Sequence, residues 1–248
     1  GGNVLTYEPL ARHLPDDLTL IGIQARGVEG TEEPDRTIEA MARRYANELI
    51  AAPPPGPINL AGYSTGGLIA FEMARILERE GHPVGLIALL DTVYPVRPGL
   101  RARLTRELEV LRAGKWQGVR TVADWWWSSI RALAGRIRHG PRWRYYLAQG
   151  RPLPAGLAAK RITHIGLKAE RFGLSGPYSG TLTYIRALGD DTRFHDSIPK
   201  WETVAGKLVV LDTPGHHTGD DNIVTEPHVG AMAAILAEQL RSTEGIVP

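Results

Sequence analysis

The chain has 248 residues, 43% of them hydrophobic and 23% charged, with no cysteine and a formal net charge of +2. That is enough apolar material for one large core, or one core with an appendage; the missing cysteines exclude disulfides and thiolate metal centres and suit a reducing cytoplasm. No apolar run reaches the ~18–20 residues of a membrane helix, the first residues show no basic-then-apolar pattern, and neither an internal repeat nor a metal-ligand spacing is found.

Residues 1–96 alternate helix-like and strand-like runs. Val4–Leu14 reads as a helix with Tyr7, Leu10 and Leu14 on one face, Leu18–Gln24 as a strand, and Thr37–Ala51 as a helix. After the loop Pro53-Pro54-Pro55-Gly56-Pro57 come a strand at Ile58–Ala61, a helix at Gly67–Glu80 and a strand at Val84–Leu90. Strands separated by crossover helices predict an α/β fold with a doubly wound, mostly parallel sheet.

The rhythm then breaks. From Pro95 to Pro177 no strand pattern stands out, whereas Leu100, Leu104, Leu108 and Leu111, then Val119, Val122, Trp126, Ile130, Leu133 and Ile137, fall at helical spacing. This stretch holds Trp116, Trp125, Trp126, Trp127 and Trp143, five of the six tryptophans. It is expected to be a helical lid at 97–175, inserted within a single domain spanning 1–248. Most of the tryptophans would form the lid's own small core, with one or two left to line an apolar chamber; an amphipathic basic helix lying on a membrane fits the composition but not the usual job of such a fold. Strands resume at Gly180–Leu188 and Lys207–Asp212, and Glu226–Arg241 closes the chain as a helix.

The small net charge hides an asymmetry. Between Arg97 and Arg161 there are 15 Lys+Arg against Glu107, Glu109 and Asp124, a net of +12, while the remainder carries 14 basic and 24 acidic residues, a net of −10. Solvated helix faces account for part of this; a surface for an acidic partner accounts for its concentration in one segment.

The most informative segment is Ile58-Asn59-Leu60-Ala61-Gly62-Tyr63-Ser64-Thr65-Gly66-Gly67. An apolar strand enters Gly62-x-Ser64-x-Gly66 and an amphipathic helix leaves it, the context of an α/β-hydrolase nucleophile elbow. The turn is tight enough to strain the serine backbone, and the glycines remove Cβ atoms that would clash. Ser64 would stand at the positive end of the following helix, with the Thr65 N–H aimed where a tetrahedral oxyanion forms.

A serine needs a histidine to take its proton and a carboxylate to orient that histidine. In this fold they follow later strands, in the order Ser, Asp, His. His216 and His217 alone follow the last expected strand, on a Pro214-Gly215 turn. His13, His82, His139, His164, His195 and His228 sit on expected helices or remote loops and read as surface or interhelix residues. The carboxylate is either Asp91, ending Val84–Leu90, or Asp190 or Asp191 after the next strand. Residue chemistry separates neither the two histidines nor the two acid positions.

Gly62-Tyr63-Ser64-Thr65-Gly66-Gly67, Phe71-Glu72-Met73-Ala74 and Leu89-Leu90-Asp91-Thr92-Val93-Tyr94-Pro95 resemble a type I thioesterase domain, the kind that terminates non-ribosomal peptide synthetases and polyketide synthases. So do Gly1-Gly2-Asn3-Val4-Leu5-Thr6-Tyr7 and the end from Trp201 through Pro214-Gly215-His216-His217 to Glu226-Pro227-His228-Val229. The resemblance covers the framework at both ends but no motif of the lid. It implies Asp91 as the acid and, from a P-G-x-H pattern, His217 as the base. It further implies no bound cofactor and no metal, and a substrate tethered by phosphopantetheine to an upstream acyl or peptidyl carrier domain. The chain would be released from an acyl-Ser64 intermediate by hydrolysis or macrocyclisation. The family's second oxyanion donor lies just before the Gly1-Gly2 pair, so the sequence given is expected to be trimmed at its N-terminus, leaving Thr65 as the nameable donor. Two rival readings stand beside it: a carboxylesterase or lipase without a carrier partner, and a non-catalytic hydrolase-fold binding protein, against which the complete Ser/Asp/His order argues.

Overall fold

The computed structural model describes residues 2–95, 145–146, 149, 151–169, 174–189 and 197–244. The expected lid tryptophans, Asp190, Asp191, His139 and His195 lie outside them.

Among the described residues, four parallel strands form one sheet: β1 (Ile58–Tyr63), β2 (Val84–Leu90), β3 (Tyr178–Ala187) and β4 (Ala205–Thr213), in that spatial order. The helices are α1 (Glu8–His13), α2 (Ile38–Ala51), α3 (Thr65–Arg79), α4 (Ala155–Ala169), α5 (Ile198–Glu202) and α6 (Val229–Glu244). No described helix is long and apolar enough to cross a membrane.

Strand β2 is buried on both faces over Leu86–Leu90, which is why it is continuously apolar. Leu86, Ala88 and Leu90 of β2 join Ile185 and Ala187 of β3, Leu10 of α1 and Val229, Met232 and Leu236 of α6 on one face. Ile87 and Leu89 point the other way, with Leu182 and Tyr184, onto α2 and α3. On α2, Ile38, Met41, Ala42, Tyr45 and Ala46 form one buried stripe at helical spacing, and the Thr37 hydroxyl caps the helix by accepting the Ala40 N–H at 3.1 Å. β4 alternates less cleanly and leaves Val210 37% exposed.

Two expectations at the N-terminus change. The helix expected over Val4–Leu14 is divided into a 3-10 turn at Val4–Tyr7 and α1. Pro9 has no N–H to donate, so the Leu5 carbonyl takes the Glu8 N–H in a tighter turn instead. Leu18–Gln24 has the apolar content of a strand but no ladder partner among the described residues, and Leu20 and Ile21 are exposed. Alternation supplies a face, whereas a strand also needs a neighbour to accept its hydrogen bonds.

Of the expected lid, α4 is described. It packs through Ala158, Ile162 and Ala169, and the preceding Leu153 donates its N–H to the Gly30 carbonyl at 2.9 Å. Gly30 is at φ +77°, and a Cβ there would stand 2.6 Å from the Leu153 carbonyl oxygen, so this approach requires glycine. A second anchor is buried. Glu72 and Arg75 of α3 pair at 2.9 Å, Glu72 accepts the Ser175 N–H at 2.7 Å, and Arg75 donates to the Pro177 carbonyl at 2.9 Å. Helix α3 thereby grips the chain where it enters β3.

Candidate active site

Ser64 sits between β1 and α3 with φ 54° and ψ −121°, a sparsely populated conformation for a residue with a side chain. Its surroundings hold it there. A Cβ at Gly62 would lie 2.2 Å from the Gly66 carbonyl carbon, so the strand end and the first helical turn meet only because residue 62 lacks one. A Cβ at Gly67 would lie 1.9 Å from the Thr92 hydroxyl, which is how α3 comes down onto the end of β2. Gly66 is less constrained than expected, since among the described residues a Cβ there would meet the Tyr7 hydroxyl alone, at 3.2 Å. Thr65 is the first residue of α3, which puts its amide at the positive end of the helix.

Asp91 follows β2 at φ 47° and is fully buried. Its N–H continues the sheet ladder to the Ile185 carbonyl at 2.8 Å. Its carboxylate is divided between two donors: Oδ1 accepts the Ala187 N–H at 3.1 Å, and Oδ2 faces His217 Nδ1 at 2.8 Å. A carboxylate facing Nδ1 fixes the proton on that nitrogen and leaves the Nε2 lone pair for its other neighbour. That neighbour is Ser64 Oγ, 3.1 Å away. The Tyr63 ring lies beside the imidazole, with centroids 5.3 Å apart.

The loop after β4 selects between the two histidines. Leu188 and Gly189 donate to the carbonyls of Thr213 and Gly215 at 3.0 and 2.8 Å, tying the loop to the end of β3. His216 is directed outward, with Nε2 3.6 Å from the Asp221 carboxylate and its ring against Gly189. His217 is directed inward, its side chain 13% exposed. The structure thus brings together Ser64, His217 and Asp91. The alternative acids, Asp190 and Asp191, lie outside the described residues. The sequence had no signal for two further contacts, the Ala187 N–H on Asp91 and the Tyr7 hydroxyl, which accepts the Tyr63 N–H at 3.0 Å. Burial pushes the Tyr184 phenol well above its usual range, and the nearby Asp91 carboxylate adds to the shift. Among the described residues no cluster of His, Cys, Asp and Glu could hold a metal ion.

A serine at a strained strand–helix turn, an imidazole with a fixed tautomer and a buried carboxylate form an arrangement suited to acyl transfer. Residues 1–125 match the thioesterase-domain family. The chain belongs to that family. The thioesterase domain is 41% identical over 86 residues to malpinin synthetase of Mortierella alpina, 35% of this chain and 1% of that protein. It is 36% identical over 95 residues to a dimodular nonribosomal peptide synthase of Bacillus subtilis, 38% of this chain and 4% of that one. It thus spans only a small part of the curated relatives it matches.

Solved structures extend the likeness to almost the whole fold. The Vlm2 thioesterase domain, crystallised with a bound dodecadepsipeptide, matches 96% of this chain and 88% of its own with a TM-score of 0.61 at 21% identity. The RedJ thioesterase of the Streptomyces coelicolor prodiginine pathway matches 96% and 86% with a TM-score of 0.63 at 20% identity. A four-domain nonribosomal peptide synthetase matches all of this chain over 19% of its own length, with a TM-score of 0.67 at 23% identity. At these identities the likeness establishes the α/β-hydrolase fold of the thioesterase domain.

Proposed function

We propose that this thioesterase domain releases an acyl or peptidyl chain from a carrier-bound phosphopantetheine thioester through an acyl-Ser64 intermediate. The observation that carries the reading is the continuous hydrogen-bonded chain from Ser64 Oγ through the His217 ring to Asp91, within a chain of the thioesterase-domain family. Its relatives' place in multidomain synthetases supports an upstream carrier domain as the partner.

In this reading Ser64 Oγ attacks the thioester carbonyl as its proton passes to His217 Nε2. Asp91 stabilises the resulting imidazolium without itself taking the proton. The Thr65 N–H stabilises the oxyanion at the helix N-terminus. The C–S bond breaks, the proton moves from Nε2 to the departing sulfur, and an ester to Ser64 remains. A second nucleophile then attacks the ester carbonyl as its proton passes to His217 Nε2; the C–O bond to Ser64 breaks, and that proton moves on to the departing Ser64 Oγ. Water yields a free acid; an amine or hydroxyl of the bound chain yields a lactam or lactone. Both outcomes use the same three residues, and the choice lies in how the bound chain is folded and water excluded. The basic segment between Arg97 and Arg161 gives an acidic carrier surface a counterpart, acting mainly on encounter rate.

The test is incubation with a series of acyl-pantetheine and carrier-bound thioesters, with mass analysis of products and of the protein. An acyl adduct on Ser64, absent in Ser64→Ala, is the expected result. An adduct on another residue, or rapid turnover of simple nitrophenyl esters with none of the thioesters, would overturn it.

A further inference from the structure

We propose that Tyr7 is a positioning residue for Ser64, its phenol oxygen bracing the elbow from the side opposite β2. The inference rests on Ser64 being the nucleophile. Two peptide groups lead into Ser64. The one donating the Ser64 N–H is held by the Leu90 carbonyl of β2 at 3.0 Å. The preceding one donates the Tyr63 N–H, which in an extended strand points to the opposite edge, and there Tyr7 Oη accepts it at 3.0 Å. The two amides are therefore fixed from opposite sides, one by the sheet and one by a side chain 56 residues earlier in the chain.

The same oxygen also lies close to the chain beyond the serine. Among the described residues, Tyr7 Oη is the atom that a Cβ at Gly66 would approach, at 3.2 Å. The phenol is thus wedged between the residue before Ser64 and the second residue after it. Its ring is seated against the cluster that contains Leu10 and Leu90, so it is not free to swing away. Burial raises the phenol's pKa and the Tyr63 N–H lowers it less, so the group remains a neutral hydroxyl with a lone pair for the amide.

Such a brace has a purpose. Ser64 occupies a conformation that persists only where its surroundings over-determine it, and its Oγ must stay within hydrogen-bond reach of His217 Nε2. Small displacements of reacting groups cost far more rate than binding. Removal of the oxygen should therefore lower kcat and leave KM almost unchanged.

The experiment uses the full chain, Tyr7→Phe, Gly66→Ala and the double variant. It reads the second-order rate of Ser64 labelling by a fluorophosphonate, kcat and KM on an acyl-pantetheine thioester, and thermal melting. Tyr7→Phe should slow labelling and kcat on the order of tenfold, about the equivalent of one lost hydrogen bond, with KM within about twofold, at temperatures well below its melting point. Gly66→Ala should slow labelling in the parent, where the new methyl meets the oxygen, and much less in the Y7F background, where the oxygen is gone; a role in stability alone does not produce this coupling in rate. Full-rate labelling in Y7F, a loss that only tracks the unfolded fraction, or additive effects of the two substitutions overturns the proposal. If the parent protein is not labelled at Ser64, it is the assignment of Ser64 as nucleophile that fails.

Discussion

Asp91→Asn is the most diagnostic single change, because the structure determines which way the amide must face. Asp91 is fully buried and serves two donors, the Ala187 N–H at Oδ1 and His217 Nδ1 at Oδ2. An asparagine has one carbonyl oxygen and one NH2. If its oxygen takes the Ala187 N–H, its NH2 faces Nδ1, which must then be an acceptor; the ring proton moves to Nε2, and in the proposed mechanism Ser64 would lose its base. The reverse orientation sets the NH2 against the Ala187 N–H in a site without water access, a mismatch costing ~1–3 kcal/mol. The first orientation wins, and with it the wrong tautomer, an inversion that costs about 10⁴-fold in kcat in serine hydrolases built this way, or about 5 kcal/mol of activation free energy. The assay is single-turnover cleavage of an acyl-pantetheine thioester, with melting temperature as the control for folding. Folded Asp91→Asn protein within about tenfold of wild-type kcat would refute the tautomer argument.

Three further outcomes follow from buried or linked polar groups. The Tyr184 hydroxyl is buried without a protein partner among the described residues, so Tyr184→Phe should leave urea stability unchanged or raise it by up to ~1–3 kcal/mol; a loss above about 1 kcal/mol means the hydroxyl is bonded. Glu72→Leu or Arg75→Met alone should cost ~3–5 kcal/mol, since each strands a buried charge, and the double variant should cost clearly less than their sum; additive losses in denaturant titrations would contradict the pairing. The hydrogen bond from Arg161 holds the Glu33 carboxyl below its ordinary range. Its stabilising contribution is complete above the unfolded carboxylate pKa and is lost as pH falls through the lowered folded value. Acid titrations of stability should accordingly flatten in Glu33→Gln; an unchanged acid limb would remove Glu33 from the account.

The sequence by itself determined the local chemistry. Gly62-x-Ser64-x-Gly66 between an apolar run and an amphipathic helix specified the elbow, because only glycine fits the clash of strand end and helix start at residue 62. The α2 stripe and the uninterrupted apolar run of β2 were legible for the same reason: period and composition are properties of neighbours in the chain. The family resemblance, rather than residue chemistry, separated Asp91 from the later aspartates and His217 from His216. Tertiary structure decided what depends on distant partners. His216 and His217 differ by which one the ties to Leu188 and Gly189 turn inward. Asp91 is held by a backbone amide 96 residues later, at Ala187, and the Tyr7 hydroxyl meets one 56 residues later, at Tyr63. Leu18–Gln24 failed as a strand for the complementary reason. Its pattern was correct, but a strand exists only where another segment comes alongside to complete its hydrogen bonds, and no local pattern specifies which segment that will be.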